Sequence, residues 1–144
     1  MVWTPEVVER AAARIRTLAV DEFKRRGSVG VTAYVFTQVD ARTNAPSERT
    51  LVLTPDGGAF KERFLLQAKL LALKTRALAS IVVAEARAKD SSGHRLVLCI
   101  VDQASKGTSA WVAHVNPDSL AMGEWHEMPS ASRIGLAWKI LPES

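Results

Sequence analysis

The sequence predicts an α+β fold in the order α-β-β-α-β-β-β: a mostly antiparallel sheet of five to seven strands, with two helices packed together on one face. Three observations lead there. Apolar residues recur at three- and four-residue steps near the N-terminus and again over residues 60–78, the period of a helix. Residues 31–39 and 49–54 alternate and are rich in β-branched and aromatic side chains, and from residue 80 onward the apolar runs have strand length. The links between strands are short, so neighbours run antiparallel, and helices grouped against such a sheet belong on one side of it.

The first helix has a defined start and stop. Thr4-Pro5-Glu6 supplies a hydroxyl cap, a proline at the first helical position and an acid in the first turn. Val8, Ala11, Ile15, Leu18 and Ala19 then form the expected apolar stripe. Lys24, Arg25 and Arg26 suit the negative end of the helix, and Gly27 suits a left-handed cap. Residues 31–39 and 49–54 read as a hairpin with a long tip, because residues 40–47 between them include Asn44 and Pro46.

The second helix, over residues 60–78, is apolar on more than one side. Phe60, Phe64, Ala68, Leu71 and Leu78 make one row, and Leu66, Leu70 and Leu73 make another. Such a helix is expected to be covered on both sides: one by the sheet, the other by the first helix or a second subunit. Both the layer arrangement and the expectation of a binding role rest on that leucine edge being covered. Residues 81–88 and 96–101 are continuous apolar runs, suited to central strands. Residues 109–115 form another strand, and 121–128 and 133–140 two short edge strands.

The chain has 144 residues, 47% hydrophobic and 24% charged, which predicts one globular domain spanning residues 1–144. No run is long and apolar enough for a membrane span, and no secretory signal is evident, so a cytoplasmic protein is expected. Cys99 stands alone in an apolar run and is expected to be buried. The net charge is +4, spread unevenly: residues 1–89 carry 15 Lys/Arg against 9 Asp/Glu, and residues 90–144 carry 4 against 6. A basic face shared by the two helices would favour an anionic partner. The nucleic-acid candidates on it are Arg14, Lys24, Arg25, Arg26, Lys69 and Arg76.

Candidates for chemistry are few. Glu85 and Arg87 continue the parity of Ile81 and Val83, which makes Glu85 either an acid–base group at a strand end or part of a structural ion pair. Glu124 and His126 share a strand face, and with a facing His114 they would form a two-His, one-carboxylate set able to take zinc or iron. No nucleophile elbow, phosphate loop or dinucleotide motif is present. Trp3, Trp111, Trp125 and Trp138 are the tryptophans; Trp111 and Trp138 read as core, which leaves Trp125 as a partner-binding candidate.

A capped helix, a hairpin, a basic amphipathic helix and then a strand closing on Ala84-Glu85-Ala86-Arg87, with Met122-Gly123-Glu124-Trp125 later, resembles small α+β proteins of bacterial and phage genomes. In those proteins the strand typically closes on Glu-Ala-Trp, where this chain has Arg87. The resemblance implies a fold and a mobile-element origin, and no activity.

The functional expectation is a non-catalytic, cytoplasmic protein-binding or accessory domain, an inhibitor or regulator of phage or prophage origin. It has no cofactor and binds a protein partner or a second copy through Leu66, Leu70, Leu73 and Trp125. The alternatives are a metal-assisted hydrolase using Glu85, Glu124 and His126, and a nucleic-acid binder using the basic helices.

Overall fold

Helix α1 (Pro5–Arg26) begins and ends as its sequence dictates. The Thr4 hydroxyl accepts the Val7 amide at 3.3 Å, and Gly27 takes φ 73°, its N–H returning to the Phe23 carbonyl. A hydroxyl cap of this kind contributes about 1 kcal/mol. The computed structural model of the chain describes residues 2–55, 61–87, 93–129 and 138–142. The buried row of α1 is Val8, Ala12, Ile15, Ala19 and Phe23. Leu18, expected in the stripe, faces water, because the row follows the i, i+4, i+7 positions from Val8 and leaves Leu18 outside it.

Strands β1 (Thr32–Phe36) and β2 (Thr50–Leu53) form the hairpin, with Ala33 opposite Leu53. Asp40 organises its tip by accepting the amides of Arg42 and Thr43. At its base the buried Thr37 hydroxyl donates to the Ser47 carbonyl and accepts the Arg49 amide. Helix α2 (Lys61–Lys74) follows, then β3 (Ala79–Arg87), β4 (Arg95–Gln103), β5 (Gly107–His114) and the two-residue β6 (His126–Glu127). The six strands make one antiparallel sheet in the order β2-β1-β3-β4-β5-β6. The class and the order of helices and strands are those the sequence predicts.

The layering is different. The helices lie on opposite faces of the sheet, not together on one. Ile81, Val83, Val97, Cys99 and Val101 pack with the buried row of α1. Val82, Ala84, Leu98 and Ile100, on the alternate parity, pack with Phe64, Leu65, Ala68 and Ala72 of α2. The reason is in β3 and β4, whose residues 81–84 and 96–101 are apolar at every position, so both faces require cover. Two helices on one side would leave half of those side chains in water.

With α1 on the far face, nothing among the described residues covers the second apolar edge of α2. Leu66, Leu70 and Leu73 are 57%, 48% and 60% exposed. The expectation that the first helix would meet this edge is therefore overturned, as is the two-helix layer built on it.

The strand expected at 121–128 is shorter than the sequence suggests. Of residues 121–128 only His126 and Glu127 pair with β5, and a single bridge joins Val115 to Met122. Most of the strand expected at 133–140 lies outside the described residues. Residues 138–142 run as turn and bend, and Trp138, Ile140 and Leu141 insert into the core on the α2 side.

Candidate binding surface

Glu85 and Arg95 form a clamp between the sheet and the end of α1. Arg95 Nε lies 3.0 Å from Glu85 Oε2 and Arg95 Nη2 lies 2.8 Å from Oε1. The same Nη2 donates to the Gly27 carbonyl at 2.7 Å, and the Val29 amide donates to Glu85 Oε1 at 3.3 Å. The guanidinium also lies 5.2 Å from the centre of the Phe23 ring, and its hydrogen bonds to Glu85 raise its proton affinity. Both carboxylate oxygens are engaged, so of the two roles the sequence left open for Glu85, the structural ion pair is the one the geometry fits. Its partner is Arg95, two residues diagonal across the β3–β4 ladder; Arg87 instead donates to the Gly93 carbonyl.

The hydrolase and metal candidates do not converge. Glu85 stands on the α1 face of β3, whereas His114 and His126 share the parity of Ala110 and Val112 on the other face. His114 meets His94, with Nε2 of His94 at 2.9 Å from Nδ1 of His114, beside a cleft of about 490 Å³ that includes Asn116 and Met122. Among the described residues no three His, Cys, Asp or Glu side chains are placed to hold a metal ion. The set His114, Glu124, His126 is thus not assembled.

The basic candidates are likewise divided. Lys24, Arg25 and Arg26 end α1 on one face of the sheet, with Arg26 3.8 Å from Glu22, while Lys69 and Arg76 belong to α2 and its C-terminal turn on the other. A single basic face shared by the helices does not form. Trp125 also separates from the leucines: it is half-buried against the α1-side core, and its indole N–H is buried without an acceptor. It is a packing residue of the opposite face.

What the structure does assemble is a groove beside α2. Lys69, Leu70 and Leu73 form one bank, and Lys139, Ile140, Leu141 and Pro142 form the other, around about 490 Å³. Three contacts hold the second bank. Trp138, Ile140 and Leu141 are buried, Lys61 Nζ sits 4.2 Å over the Trp138 ring, and Lys139 Nζ lies 3.9 Å from Asp102 Oδ2. Asp102 is buried; Thr108 donates to its Oδ1 at 3.1 Å while Oδ2 has no hydrogen bond. Burial pushes its carboxyl above the usual range, and Lys139 partly offsets that. The leucine row was legible in the sequence; the opposite bank was not, since residues 133–140 read as an edge strand.

No family model, no curated protein and no solved structure matches this chain. No helix among the described residues is long and apolar enough to cross a membrane.

Proposed function

We propose that this chain is a non-catalytic protein-binding domain whose contact surface is the outer edge of α2 with the groove beside it. The observation that carries the reading is the exposed row Leu66, Leu70 and Leu73, the last two of which line a formed groove. The row is not covered among the described residues, so the binding role stands on the groove's apolar banks and not on a clamped helix. Burying one exposed leucine at an interface contributes about 1.5–3 kcal/mol at most, so a partner that covers all three gains enough to offset part of the cost of association. The engaged carboxylate of Glu85, and the failure of His114, Glu124 and His126 to form a ligand set among the described residues, favour binding over catalysis. The single buried thiol, Cys99, accords with a cytoplasmic setting.

A display selection of helical peptides against the whole chain tests the reading. Peptides should enrich on the wild type and fail on a Leu66→Ser, Leu70→Ser, Leu73→Ser variant that melts normally. Equal enrichment on both proteins would remove α2 as the contact surface.

A further inference from the structure

The groove's charges define what it takes, and this inference rests on the binding role just proposed. At about 100° per residue, Leu66, Leu70 and Leu73 fall within about 60° of one another, a stripe roughly two turns long. Arg63 and Lys74 lie along one side of it and Lys69 along the other; all three are exposed. Lys139 stands on the opposite bank. Residues 61–76 carry one carboxylate, Glu62 on the Lys69 side of the stripe, against five cations, Lys61, Arg63, Lys69, Lys74 and Arg76.

A second copy laid on this stripe would bring Arg63, Lys69 and Lys74 of both copies to one interface, and like charges brought together oppose association. An acidic partner gains from the same charges. We propose that the groove binds an amphipathic helix of another protein, with apolar residues at i, i+4 and i+7 in contact with Leu66, Leu70 and Leu73. Its Asp or Glu residues on either side would pair with Arg63, Lys69 and Lys74. The apolar floor supplies affinity and the flanking cations supply selectivity, as in other helix-in-groove recognition. Lys139 contributes less, because Asp102 already offsets its charge.

Three synthetic helical peptides with the same leucine spacing test this, their flanks being glutamate, glutamine or lysine. Binding to the full chain is followed by fluorescence anisotropy at low and high salt. The glutamate peptide is expected to bind at least about tenfold more tightly than the glutamine one, a preference that fades as salt screens it. Lys69→Glu with Lys74→Glu should shift the preference to the lysine peptide, and Leu70→Asp should abolish binding of all three. These positions are exposed, so unchanged melting verifies the fold of each variant.

Glutamine or lysine peptides binding as tightly as the glutamate one, and still failing on Leu70→Asp, would overturn the acidic chemistry while leaving the binding role intact. Binding of none of them above the level seen with Leu70→Asp would overturn both. A concentration-dependent dimer in light scattering, lost in Leu70→Asp, would make the occupant a second copy and also overturn the inference.

Discussion

Replacing Arg95 with methionine keeps the length of the side chain and removes its charge, and it should loosen the joint between α1 and the sheet. The substitution deletes two hydrogen bonds to Glu85, one to the Gly27 carbonyl, and the guanidinium's contact with Phe23. It leaves Glu85 holding only the Val29 amide among its described partners. Fully buried, charge-assisted bonds of this kind are worth about 1.5–3 kcal/mol each, and exposed ion pairs about 0–1. Each side chain here is 25% exposed, so screening discounts the upper figure. We expect Arg95→Met to cost about 2 kcal/mol. That corresponds to roughly 8 °C in melting temperature for a domain of this size. Glu85→Gln should cost about 1 kcal/mol, because the amide oxygen still accepts from Val29. Urea denaturation of the wild type, both single variants and the double variant gives the coupling, expected near 1 kcal/mol. Additive losses within about 0.3 kcal/mol would refute the reasoning, since two groups that share no interaction add.

Other consequences follow from the core and from two buried ionisable groups. Leu98, fully buried between α2 and the sheet, should cost about 2–5 kcal/mol when changed to alanine, read from the urea midpoint. Burial pushes the Cys99 thiol up to about 11, opposed by the nearby Arg16. Below the unfolded value of about 8.5 both states are protonated and nothing is lost; as pH rises toward 11 the unfolded chain ionises first and stability falls. Cys99→Ala should flatten that alkaline decline in a stability–pH profile, and the native thiol should resist alkylation at neutral pH. Asp102, raised by burial, carries the same sign at lower pH: its contribution is whole below about 3.9 and declines as pH rises through its folded value. Asp102→Asn should therefore melt higher relative to wild type at pH 7 than at pH 3.

Local signals were readable and non-local ones were not. Thr4, Pro5 and Gly27 fix both ends of α1 through contacts within one turn, so the sequence contains all that is needed. The hairpin and the central strands are set by alternation and by unbroken apolar runs. Those runs also held the information that both sheet faces are covered, since residues 81–84 and 96–101 offer apolar groups on either parity. A layer of both helices on one face leaves that demand unmet. The partner of Glu85 depends on register, because Arg95 comes beside it only once β3 and β4 pair with Glu85 opposite Val97. The meeting of His94 with His114 likewise requires β4 and β5 to be aligned. The groove depends on where residues 138–142 return to α2, and periodicity carries no trace of that path.

Methyl NMR of the leucines with a soluble paramagnetic agent tests the central claim most directly, first on the free chain and then with the glutamate-flanked peptide bound. The methyls of Leu66, Leu70 and Leu73 should be strongly broadened in the free protein and protected on binding, while those of Leu65 and Leu98 stay protected throughout. Leucine 66, 70 and 73 methyls as sheltered as those of Leu98 in the free monomer, or still fully broadened in the bound state, would contradict the account.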